Sequence, residues 1–124
     1  MTTFTITRTI ASPADKVWAL AGDFLKAPGP GIEVKIEKHG NGSNNIGAKR
    51  TITIGSVCVR ERLESVGPGK TFSYKILSGA PMKNHRATSE FKANGVSTEI
   101  RWLVGMVTSK AVNRYIDEVE KATR

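Results

Sequence analysis

Apolar and polar residues alternate along most of this chain, and the period changes to a helical one only twice. Thr3 to Ile10 sets Phe4, Ile6 and Ile10 on one side and threonines on the other, as a strand requires. From Ser12-Pro13-Ala14-Asp15 a helix is predicted. Ser12 suits the N-cap, Pro13 the first helical position, and Asp15 completes the cap at the positive end of the dipole. Val17, Trp18, Leu20, Ala21 and Phe24 give this helix an apolar face, and the Pro28-Gly29-Pro30-Gly31 run requires it to end earlier.

Strands then follow at short intervals. Ile32 to Lys38 alternates with Ile32, Val34 and Ile36 inward. Lys49 to Ile54 and Val57 to Val66 are joined by a tight Gly55-Ser56 turn. Thr71 to Leu77 sets Phe72, Tyr74 and Ile76 on one face. Lys83 to Lys92 and Val96 to Val104 are linked through Ala93-Asn94-Gly95. From about Ser109 to Thr123 the spacing of Val112, Tyr115, Ile116 and Val119 is helical again. Consecutive strands on short turns make an antiparallel sheet, whose apolar face must be covered by the helices. The predicted class is therefore α+β, one domain over residues 1–124. A curved antiparallel sheet packs around the C-terminal helix and leaves an internal hydrophobic cavity.

Two charges break the inward pattern. Ala48, Arg50, Ile52 and Ile54 share one face of their strand, and Val57, Val59, Glu61 and Leu63 share one face of the next. A charge withdrawn from water is costly unless paired or hydrogen-bonded. Arg50 and Glu61 therefore form either a mutual ion pair that orders the sheet or the polar spot of a ligand cavity. As site residues, Arg50 would bind an anionic or carbonyl oxygen and Glu61 would move a proton, its pKa raised by an apolar cavity and lowered again by the arginine. Tyr74, His85 and Trp102 face the same way by alternation and join them as candidate wall residues. The rings of Tyr74 and Trp102 carry polar tips able to anchor a ligand, and His85 titrates near neutral pH.

Composition narrows the function classes. With 124 residues there is room for one core, and the apolar share of 39% is that of an ordinary globular chain. The only cysteine is Cys58, predicted outward beside Arg60, so no intramolecular disulfide and no cysteine metal site is expected. No second ligand is spaced with His85, and His39 lies in a loop, so no metal and no other cofactor is expected. The loop from Gly40 to Gly47 lacks the Gly-Lys-Ser/Thr ending of a phosphate cradle and opens a strand rather than a helix. No apolar run reaches the length of a membrane span, which speaks against membrane insertion and for a cytoplasmic setting. Nineteen Lys and Arg against 11 Asp and Glu give +8. These charges are scattered along the sequence without interleaved aromatic residues, an arrangement that argues against a nucleic-acid partner.

Several local patterns resemble the START-like, Bet v 1-like superfamily (the SRPBCC group), most closely its polyketide cyclase/dehydrase branch. They are Ile10-Ala11-Ser12-Pro13 with Val17-Trp18 and Asp23-Phe24, Gly47 with Arg50, and Glu61-Arg62-Leu63. Tyr74-Lys75-Ile76, Pro81 with Asn84, and Thr98 with Trp102 complete the series. The resemblance implies a helix-grip fold with a hydrophobic pocket between the sheet and the last helix. One enzyme of the group, the onion lachrymatory-factor synthase, has a similar pattern, with an arginine in a Gly-x-x-Arg strand and a glutamate leading a Glu-basic-Leu segment. This implies pocket roles for Arg50 and Glu61. The chain departs from the pattern at Leu25-Lys26-Ala27-Pro28, where many relatives have a tryptophan, and in its short region between Trp102 and the final helix. That shortness leaves one wall of the pocket thin, open, or supplied by a partner subunit in a homodimer. The expected function is binding of a small, largely hydrophobic molecule in the internal cavity. The alternative is a cofactor-independent cyclase, dehydratase or isomerase with Glu61 as acid/base and Arg50 as anion stabiliser.

Overall fold

A computed structural model describes residues 3–42, 44–67, 69–79, 86–105 and 109–123. Its elements are β1 (Thr3–Ile10), α1 (Ala14–Ala21), β2 (Ile32–Lys38), β3 (Lys49–Ile54), β4 (Val57–Gly67), β5 (Thr71–Ser78), β6 (Arg86–Asn94), β7 (Ser97–Gly105) and α2 (Ser109–Thr123). The strands form one antiparallel seven-stranded sheet in the order β1-β7-β6-β5-β4-β3-β2. The sheet curves around the two helices, the helix-grip arrangement. No described helix is long and apolar enough to cross a membrane.

The core lies where the alternation put it. Ile10, Val59, Leu63, Phe72, Ile76, Phe91 and Ile100 are buried on the inner face, against Val112, Tyr115, Ile116 and Val119 of α2. A chain of aromatic contacts crosses this interior. Trp18 of α1 meets Phe91 edge-on at 5.4 Å, Phe72 meets Trp102 at 6.0 Å, and Trp102 meets Tyr115 of α2 at 5.2 Å. Such geometries add about 0.5–1.5 kcal/mol each beyond burial.

Both short hairpins close on two residues. Ile54 pairs with Val57 around Gly55-Ser56, and Gly55 has φ +60°. The second turn sits one to two residues later than the sequence suggested. Asn94 still pairs with Ser97, so Gly95 and Val96 make the turn, and Gly95 has φ +63°. Only glycine takes that first position without strain, so it rather than Asn94 sets the turn.

Two further expectations are corrected. Ser12 is not the helix cap: Pro13 stands at the N-cap position without a side-chain cap, and Asp15 accepts only from the Lys16 amide. The Ser12 hydroxyl is buried and donates instead to the Thr123 carbonyl at the end of α2, 2.8 Å away, while the Ser12 carbonyl accepts from Thr98. Tertiary partners outcompeted the local cap. Ile36 keeps the inner face, directly opposite buried Arg50, but is not buried: it is 39% exposed, because β2 is the edge strand and bulges between Ile36 and Lys38.

The Ser89 hydroxyl is fully buried with no hydrogen-bond partner among the described residues, between Phe72 and Trp102 in the register. Its desolvation is not repaid. Ser89→Ala should therefore raise stability by about 1 kcal/mol in urea unfolding. A loss of stability would show that the hydroxyl has a partner after all.

Candidate functional site

The site is built by β3 and β4 from their own register. Arg50 stands directly opposite Glu61, and both are buried, at 2% and 4% exposure. Arg50 Nε and Nη2 each lie 2.9 Å from Glu61 Oε1, so neither is spent on Oε2. Arg50 Nη1 donates to the Phe24 carbonyl at 2.8 Å, and the Phe24 ring lies 3.9 Å from the guanidinium carbon. The segment after α1 is thus fastened over the ion pair by one hydrogen bond and one cation–π contact.

Around the pair is a cavity of about 30 Å³, with its walls from Ile52, Ile54, Val57 and Val59 of β3–β4, Tyr74, Trp102, and Ala111, Val112 and Tyr115 of α2. That volume holds about two water molecules. A larger molecule enters only if the walls part.

Electrostatics follow from dryness. Burial pushes the Glu61 carboxyl up from its ordinary value, and the Arg50 charge and hydrogen bond oppose that shift. The Glu61 charge and hydrogen bond hold the guanidinium in its charged form against its own desolvation. Burial likewise raises the Tyr74 and Tyr115 phenols, the charge of Glu61 adding to it and that of Arg50 opposing. Trp102 Nε1 donates to the Tyr74 hydroxyl at 3.3 Å, orienting its polar tip.

Of the five candidate residues, Arg50, Glu61, Tyr74 and Trp102 meet in one place. His85 lies outside the described residues. Tyr115 and Phe24 were not singled out. Tyr115 had a signal, a hydroxyl on the buried stripe of α2. Phe24 contributes a backbone carbonyl, which no residue type announces.

Residues 1–121 match the family described as polyketide cyclase / dehydrase and lipid transport. The chain belongs to that family. Among solved structures, XoxI of Bacillus cereus is similar at 18% identity with a TM-score of 0.74, over 99% of this chain and 96% of that one. A protein of Nitrosospira multiformis has a TM-score of 0.75 at 14% identity, covering 99% and 97%. The Aha1 dimer of Colwellia psychrerythraea has a TM-score of 0.68 at 8% identity, covering 99% and 96%. At such identities these likenesses speak to fold alone. A search by sequence among curated proteins finds no match. Fold and family together support a cavity for a small hydrophobic ligand, as is typical of the helix-grip superfamily.

Breaking one side of a buried pair leaves an uncompensated charge. Arg50→Met or Glu61→Leu alone should cost about 3–5 kcal/mol in denaturant unfolding, and the double variant should recover most of it. Strictly additive losses would show that the two side chains are not energetically coupled.

The exposed pair on the outer face behaves differently. Hydrogen bonds from Arg60 and Thr51 lower the Glu37 carboxyl to about 2. A lowered carboxylate stabilises the fold above its ordinary pKa, and that contribution fades as pH falls through about 2. Carboxyl NMR titration should find Glu37 near that value, and Arg60→Ala should return it to the usual carboxylate range.

Proposed function

We propose that the protein binds or carries a small, largely apolar molecule whose polar end is a neutral oxygen acceptor. Arg50 anchors that oxygen, and Tyr74, Tyr115 and Trp102 line its path. The observation that carries this is that the two charged side chains of the cavity already neutralise each other. A carboxylate ligand would add a second anion beside Glu61 in a dry site. A carbonyl or hydroxyl oxygen has only to replace the Phe24 carbonyl on Nη1. His85, outside the described residues, remains a candidate from the sequence pattern alone.

A second reading has its own observation. Both Arg50 contacts converge on Oε1, so Glu61 Oε2 is the atom placed to take a proton from carbon beside a carbonyl, with Arg50 holding the resulting enolate oxygen. That would make the protein a cofactor-independent isomerase, dehydratase or cyclase.

Native mass spectrometry of protein from its own host, followed by identification of what it retains, tests both and reads whether a second copy completes the cavity mouth. The expected result is a neutral carbonyl or hydroxyl compound in stoichiometric amount. A neutral naphthyl ketone should bind, matched naphthoate should bind at least about tenfold more weakly, and Val112→Phe should abolish both by filling the cavity. Preference for the acid would overturn the neutral-acceptor reading. Glu61→Gln, assayed where circular dichroism shows it folded, separates the two functions. A carrier keeps the ligand unchanged, whereas an enzyme loses turnover and retains binding.

A further inference from the structure

The basic excess, dispersed in sequence, is aligned in space. Lys49 of β3 pairs in register with Arg62 of β4, Arg62 with Lys75 of β5, and Lys75 with Arg86 of β6. Four cations therefore stand directly opposite one another across four adjacent strands. All four are on the outer face, since their chain neighbours Ala48, Arg50, Glu61, Leu63, Tyr74, Ile76 and Ala87 are buried. At about 4.8 Å per strand the row is roughly 14 Å long and one side chain wide.

Like charges directly opposite destabilise a sheet, so folding stability gives no reason for this row. Among the described residues, one carboxylate joins it: Glu64, 3.2 Å from Arg62 and 3.9 Å from Arg86. Lys49 and Lys75 enter no ion pair among the described residues. Glu37 feels the charge of Lys49 but spends its oxygens on Arg60 and Thr51. Hydroxyls flank the row on the same face: Thr51, which donates to Glu37, on one side, and Thr88 with the mutually hydrogen-bonded Ser65 and Ser73 on the other. Cations with flanking hydroxyls are the groups that contact phosphodiester oxygens.

We infer that this outer-face row docks the phosphodiester backbone of a nucleic-acid duplex, independently of the cavity. The line matches a linear polyanion. A flat anionic bilayer would instead press against the whole face, including Glu33, Glu90 and Glu99. No aromatic side chain stands in the row to stack on bases, so a duplex with its bases covered fits better than a single strand, and the contact carries no sequence preference.

The test is fluorescence anisotropy of a labelled 20-base-pair DNA duplex, titrated with the full chain across a salt series. Four phosphate contacts give a log–log salt slope of about −3 to −4. Lys49→Gln with Lys75→Gln should flatten the slope by about 2 and weaken binding about tenfold or more at low salt. Lys16→Gln with Lys92→Gln removes the same charge outside the row and should leave binding within about twofold. Amide NMR shifts on the unaltered protein should cluster at Lys49, Arg62, Lys75 and Arg86, a readout independent of any variant. Equal loss in both double variants would overturn the inference in favour of diffuse attraction to +8. Undetectable or salt-independent binding would overturn it as well, as would tighter binding to phosphatidylserine vesicles or polyglutamate than to the duplex.

Discussion

Withdrawing a guanidinium and a carboxylate from water costs several kcal/mol per ion, and only close geometry with further hydrogen bonds offsets it. Arg50 meets that requirement with Glu61 Oε1, the Phe24 carbonyl and the Phe24 ring. The partners come from two different places in the chain, so the charge fixes how those places sit together. It holds β3 against β4 and fastens the segment after α1 over the sheet. It also leaves a polar end in an otherwise apolar interior, where a wholly apolar one would be free to pack shut.

The grip on α2 bears on how the cavity opens. The second half of the helix is held on several sides. Arg8 reaches Asp117 at 2.6 Å and Glu120 at 3.7 Å, Glu118 accepts from the Gly31 amide, and Ser12 caps the Thr123 carbonyl. The cavity instead faces Ala111, Val112 and Tyr115 in the first half. That half is held as well, since Arg8 Nη1 also donates to the Asn113 carbonyl at 3.0 Å and so ties both halves of the helix to β1. Space for a ligand has to come from the apolar walls, Val112 against Ile52, Ile54, Val57 and Val59, whose contacts slide at less cost than directed hydrogen bonds break.

Sequence periodicity revealed most of this. Seven strands, two helices and the inner face were legible because alternation and burial report the same constraint, the pleat of a strand against one core. The Arg50–Glu61 pairing followed from two charges in inward positions. The same reasoning applies to Arg8, which alternates with Ile6 and Ile10 and is bound to α2. What was not legible depended on tertiary competition. Ser12 has the chemistry of a cap, yet a carbonyl over a hundred residues away claims its hydroxyl. Ile36 has the chemistry of a core residue, but an edge strand with a bulge leaves it open to solvent. The Phe24 carbonyl carries no side-chain signature at all.

The charge on the outer face and the charge on the inner face are linked through register. In β3 and β4, Lys49 and Arg62 flank the positions that Arg50 and Glu61 occupy. Sliding β3 and β4 together by one residue against the rest of the sheet would turn both side-chain sets over. Lys49 and Arg62 would then point into the core, two cations without a carboxylate between them, while Arg50 and Glu61 would lie wasted in water. The apolar residues alone penalise that slip. The charges penalise it more, because a buried like-charge pair has no favourable geometry to offset its desolvation. The inner pair and the outer row thus specify the same alignment from opposite sides. A sheet that could tolerate unpaired cations on its outer face is one whose register is already held from within.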